Sequence, residues 1–153
     1  MRFFRFGILI SALLLTGCAA ETAPPTWSPV GTGVYRTENA GGSFEWTETG
    51  FTVRPDCTAC APVSFSFEAD RYRIASAGAE ITAAPSDFPP DSPWAILPTA
   101  IGFVPQWMPD ATGWTAESDR IRLESDDGKN FQLTFLQENR TVTLIYDIAD
   151  VIS

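Results

Sequence analysis

Apolar and polar residues alternate with a period of two along most of this chain. Phe44 and Trp46 share one face while Ser43, Glu45 and Thr47 take the other, and Phe51 and Val53 alternate with Thr52 and Arg54 after a turn at Thr49-Gly50. Val63, Phe65 and Phe67 oppose Ser64, Ser66 and Glu68, and beyond Ala69-Asp70 the residues Tyr72 and Ile74 alternate with Arg71 and Arg73. This is the signature of antiparallel hairpins with one buried and one wet face. The C-terminal part repeats it. Ile121 and Leu123 lead into the turn Asp126-Asp127-Gly128, Phe131, Leu133 and Phe135 follow, and Val142, Leu144 and Tyr146 come after a turn at Glu138-Asn139-Arg140. Gly33 to Thr37 and Ala79 to Ala83 are weaker strand candidates. The pattern predicts an all-β fold, a single small antiparallel β-barrel or sandwich of about 7–9 short strands. No long segment carries helical periodicity.

Pro85 to Trp114 breaks the pattern. It holds seven of the 12 prolines and three of the five tryptophans, Trp94, Trp107 and Trp114. Ser92-Pro93 predicts the start of a short helix over Trp94 to Leu97, because proline is tolerated at the first helical position. The rest reads as a Pro/Trp-rich irregular insertion, and Ile96, Leu97, Ile101, Phe103 and Val104 predict that it packs as a plug or flap on the β structure. The three tryptophans either form a binding surface for a partner or apolar ligand or cap the core.

The N-terminus is organised differently. Arg2 and Arg5 precede an apolar run from Phe6 to Leu15, too short to span a bilayer, which takes roughly 20 residues. The run ends in Leu15-Thr16-Gly17-Cys18, which resembles a bacterial lipoprotein signal peptide with its lipobox. That resemblance implies cleavage before Cys18, a diacylglyceryl group on its sulfur and an N-linked acyl chain such as palmitate. Ala19, where an aspartate would favour inner-membrane retention in that family, is compatible with the outer membrane of a Gram-negative envelope, facing the periplasm. The expected organisation is a signal peptide at 1–17, a lipidated Cys18 with a flexible Ala/Thr/Pro-rich tether at 18–33, and a β domain at 34–153. Trp27 in the tether either touches the membrane interface or docks on the domain.

Composition narrows the functions. The chain has 10 basic and 19 acidic residues, and loss of Arg2 and Arg5 leaves 8 against 19, a net −11. So acidic a chain does not bind nucleic acid by neutralising phosphate. The excess gives solubility or attracts a basic protein or a cation. No histidine is present, which excludes Ser-His-Asp and Cys-His catalysis and removes the commonest zinc and copper ligand. The single lysine, Lys129, follows Asp126-Asp127-Gly128 in an exposed turn, a poor place for a desolvated nucleophilic amine.

Cys57-Thr58-Ala59-Cys60 is the most specific local motif. With Cys18 acylated these are the remaining thiols, a pair in an oxidising compartment, and a disulfide closing the turn between Pro55 and Pro62 is expected. A redox pair and a Cu(I) site on Cys57 and Cys60 are the alternatives. Pro55 to Cys60, with the strands Val63 to Glu68 and Arg71 to Ile74, resembles the Cys-x-x-Cys region of copper-responsive envelope-stress lipoproteins, which implies metal or stress sensing. Trp107, Trp114, Asp119 to Leu123 and Asp127-Gly128-Lys129 resemble the later half of small β-barrel inhibitors of bacterial metalloproteases, which implies an N-terminal arm that enters a protease cleft. Glu117, Asp119, Glu124, Asp126 and Asp127 match no EF-hand spacing and read as solvated turn carboxylates rather than a Ca²⁺ site.

The leading expectation is a membrane-anchored, non-catalytic lipoprotein without a cofactor, whose β domain binds an envelope protein or an apolar ligand. Metal sensing through Cys57 and Cys60 and protease inhibition stand as alternatives.

Overall fold

The computed structural model describes residues 23–89, 93–136 and 141–147. Within them the protein is all-β and antiparallel throughout. Eleven strands form one sheet: β1 (Gly31–Arg36), β2 (Gly41–Thr47), β3 (Gly50–Pro55), β4 (Val63–Phe67), β5 (Tyr72–Ser76), β6 (Ala79–Ala83), β7 (Met108–Pro109), β8 (Trp114–Glu117), β9 (Ile121–Ser125), β10 (Gln132–Leu136) and β11 (Thr141–Asp147). The order across the sheet is β6-β5-β4-β3-β2-β1-β11-β10-β9-β8-β7. Two meanders thus run outward from a central seam where β1 pairs with β11. The sheet is not closed into a barrel, since β6 and β7 end it on either side.

Nine of these strands coincide with alternating segments of the sequence. The additional ones are β7 and β8, within the Pro/Trp region. Pro109 is tolerated in β7 because that strand is an edge. Trp114 and Ala116 of β8 point the same way as Leu123 and Ser125 of the paired β9.

Alternation puts one side chain in two on the inner face. Phe44, Trp46, Phe51, Val53 and Phe65 of the first meander join Ile121, Leu123, Leu133, Phe135 and Leu144 of the second in one buried cluster. Both halves therefore share a core. Phe88, Trp94, Phe103 and Trp107, from residues 84–89 and 93–107, pack against it. A 3-10 turn at Pro85–Asp87 and another at Pro93–Ile96 run into α1 (Leu97–Ile101), and Leu97 and Ala100 are fully buried. The helix expected over Trp94 to Leu97 is a 3-10 turn there, and the α-helix begins at Leu97 and runs on to Ile101, with the segment packed onto the core as expected. Trp94 packs in tilted contact with Phe51 and Phe65, ring centroids 5.9 and 5.2 Å apart, and Phe88 packs on Phe65 and Tyr72. At roughly 25 cal/mol per Å² of apolar area, such aromatic contacts dominate the stability of the cover.

The outer face is polar. Arg54 pairs with Glu45, Arg73 with Glu68 and Glu80, and Arg122 with Glu117, all half in solvent. Such pairs set register more than they add stability.

The arm before β1 is part of the domain. Trp27 is half-buried, edge-on to Phe131 and Tyr146, and the Tyr146 hydroxyl donates to the Pro29 carbonyl at 3.0 Å. The segment expected as flexible tether up to residue 33 is thus docked from about Pro25, and β1 begins at Gly31. Apolar contact offsets the loss of chain freedom there.

Candidate functional site

Two turns at one end of the second meander frame an open cleft of about 450 Å³. The β7–β8 turn supplies Asp110, Thr112 and Trp114. The β9–β10 hairpin supplies Glu124 to Asp127, Asn130, Phe131 and Gln132, and Ile145 of β11 forms part of the floor. The pairing of Trp114 with Ser125 sets the two turns side by side.

Each turn is built on a carboxylate. Asp110 Oδ1 accepts the backbone N–H groups of Thr112 at 2.7 Å and Gly113 at 2.8 Å, and also the Thr112 hydroxyl. Asp127 Oδ1 accepts those of Lys129 at 2.8 Å and Asn130 at 2.7 Å. These donors hold both carboxyls below the ordinary aspartate range, so both are charged at neutral pH. Glu124 accepts from the Gln132 amide at 3.3 Å. The result is a negatively charged rim around an aromatic wall of Trp114 and Phe131. Such a wall and rim suit a cation, above all a guanidinium or ammonium laid on an indole face.

Of the three tryptophans expected at a binding surface, Trp114 lines this cleft. Trp107 is half-buried behind it, 6.2 Å from Phe131 by ring centroids. Trp94 belongs to the aromatic cover of the first meander. The three do not form one surface. Two further apolar side chains of the same segment are well exposed, Val104 at 74% and Met108 at 56%, the latter two residues before Asp110.

Cys57 and Cys60 lie in the β3–β4 turn, exposed and as free thiols, so the expected disulfide is not formed here. The Cys60 N–H donates to the Cys57 carbonyl at 3.1 Å, closing the turn without a covalent link. Among the described residues no three Cys, Asp or Glu side chains gather as a metal site, which counts against Ca²⁺ at the group Glu117, Asp119, Glu124, Asp126 and Asp127. Cys18 and the Asn139-Arg140 turn lie outside the described residues. None of the described helices is long and apolar enough to cross a membrane.

Asp110, Thr112, Asn130 and Gln132 were not expected at a site from the sequence. Asp110-Ala111-Thr112-Gly113 carried a turn signal that could have found the first two. Comparisons with protein-family models, curated proteins and solved structures find no match to this chain.

Proposed function

We propose that this protein is a lipid-anchored envelope lipoprotein whose β domain is a non-catalytic module that docks a basic segment of a protein partner. The carrying observation is the cleft with Trp114 and Phe131 on its wall and Asp110, Glu124, Asp126 and Asp127 on its rim. Its open shape and charge favour a protein side chain over a buried apolar ligand. Exposed Met108, on the short strand that leads into Asp110, adds apolar contact area nearby. The net −11 of the mature chain would steer a basic partner at long range. Acylated Cys18 would hold the module at the membrane, with more than one acyl chain supplying the two signals that stable anchoring takes.

Metal sensing through Cys57 and Cys60 has two thiols in its favour but no third ligand among the described residues. The inhibitor reading needs a free arm, and Trp27 to Pro29 are packed on their own domain.

The test is titration of the full chain carrying Cys18→Ser with an oligo-arginine peptide, using an oligo-glutamate peptide as control. Saturable, salt-sensitive binding that weakens about fivefold or more in Trp114→Ala and in Asp126→Asn is expected. Absence of binding, or equal binding by all variants, rejects the cleft. Labelled palmitate incorporated by the native chain and not by Cys18→Ser tests the anchor separately.

A further inference from the structure

The β3–β4 turn carries chemistry that the cleft does not use. Pro55 and Pro62 flank it, and Cys57 to Cys60 sit outside the strand ladder, which resumes with Val63 opposite Val53. The backbone bond from Cys60 N–H to the Cys57 carbonyl makes a four-residue turn. Such a turn brings its end Cα atoms within about 7 Å, inside the range that a disulfide spans. The two thiols are near enough to influence each other's ionisation. Both side chains are exposed.

The two thiols are unequal. Hydrogen bonding from the Cys60 thiol and, after it, from the Ala59 and Cys60 backbone N–H groups lowers the Cys57 pKa, while that of Cys60, the donating thiol, is raised. Cys57 is therefore the readier thiolate. A purely structural clip is a poor account of the pair. The turn is closed by its backbone bond, the register of β3 on β4 is set by four paired residues, and so short a covalent loop restricts the unfolded chain little.

We propose that Cys57 and Cys60 form a thiol–disulfide exchange site whose substrate is a solvent-accessible disulfide. The Cys57 thiolate attacks one sulfur of the substrate, the substrate S–S bond breaks, and the first thiolate leaves and takes up a proton. A mixed disulfide now joins Cys57 to the other half. Cys60 gives its proton to water and its sulfur attacks the Cys57 sulfur, expelling the second substrate thiolate. The pair ends as a Cys57–Cys60 disulfide, and the substrate, reduced by two electrons, ends as two thiols. The same chemistry serves a small disulfide or one on a protein. Neither cysteine lines the cleft, so the exchange site stands whether or not the cleft binds a basic segment.

The test uses the full chain with Cys18→Ser, reduced and then mixed with oxidised glutathione or with a disulfide-linked peptide pair, followed by intact mass after acid quenching. The expected products are an intramolecular disulfide in the parent and a trapped mixed disulfide in Cys60→Ser. Cys57→Ser should react about tenfold more slowly, because its remaining thiol lacks the activating donors. Reaction with one substrate and not the other identifies the source of the disulfide. Equal rates for the two serine variants, or no reaction with either substrate, overturns the proposal. So does a parent disulfide that excess reduced glutathione fails to open. Both substitutions are at exposed turn positions, and circular dichroism checks that each variant is folded.

Discussion

Phe44 and Tyr146 stand on strands that do not pair with each other, yet their rings meet edge-to-face with centroids 5.0 Å apart. The residue between them is Gly33 of β1, paired with Phe44 on one side and Tyr146 on the other. With no side chain at Gly33, the two rings close over the backbone and join the two meanders at their seam. A Cβ there would collide with the Ile145 carbonyl oxygen and lie 2.8 Å from Phe44 Cε1. Gly33→Ala is expected to cost about 3 kcal/mol, the upper range for overpacking. Gly102→Ala, where the nearest atom is 3.8 Å away, should change stability by less than about 0.5 kcal/mol. Urea unfolding of both checks this, and equal midpoints would show that the seam tolerates a side chain.

Tyr72 is 3% exposed, and its hydroxyl has no hydrogen-bond partner among the described residues. Burial pushes its pKa up to about 12. The folded state therefore favours the neutral phenol. That stabilisation is complete below the unfolded value near 10 and is lost as pH rises from there through about 12. Tyr72→Phe removes an unpartnered buried hydroxyl. It should raise stability at pH 7 by about 1 kcal/mol and shrink the alkaline loss. Thermal unfolding at pH 7 and pH 11 measures both, and a less stable Phe variant would mean that the hydroxyl is satisfied in solution.

Asp127 shows whether its charge or its hydrogen bonds organise the cleft. A depressed carboxyl pKa stabilises above the unfolded value and is lost as pH falls through the folded one, so the β9–β10 turn should loosen only in acid. Asp127→Asn keeps an acceptor for the Lys129 and Asn130 amides and should retain the turn while losing its acid dependence. Asp127→Ala should lose both. Amide exchange at Asn130 reads the difference, and full protection in the Ala variant would show that the turn closes without this carboxylate.

Much of this architecture was legible because a period of two over five or more residues fits a half-buried strand and does not fit a helix. Phe44, Trp46, Phe51, Val53 and Phe65 stood out as one face, and they are one face of the core. β8 leaves no clear pattern in the sequence because its inward residues are only Trp114 and Ala116, directly after a turn and a proline-rich stretch. Leu97 and Ala100 are buried at a helical spacing of three, but one turn is too short to show periodicity. The cleft was half visible in Asp126-Asp127-Gly128. Its other wall arrives through the pairing of β8 with β9, a contact that no local pattern encodes. Trp27 was ambiguous because a lone aromatic in a Pro-rich arm has no periodic neighbours to assign its face.

Trp27 fastens the arm before β1 to the second meander. Its ring meets both Phe131 and Tyr146 at 5.3 Å, and Phe131 also lines the cleft, so the arm buttresses the cleft wall from behind. Trp27→Ala should destabilise the domain by about 2 kcal/mol, less than a fully buried tryptophan because the residue is only half-buried. Tyr146→Phe, which removes the hydroxyl bond to Pro29, should cost about 1 kcal/mol. The two changes loosen the same arm, so their effects should fall short of additive in a double-mutant cycle. Trp27→Ala should release the arm and speed protease cleavage around Thr26 and Ser28, which are exposed but held against the domain by their neighbours. An unchanged cleavage pattern and an unchanged unfolding midpoint would show that the arm packs without holding the domain.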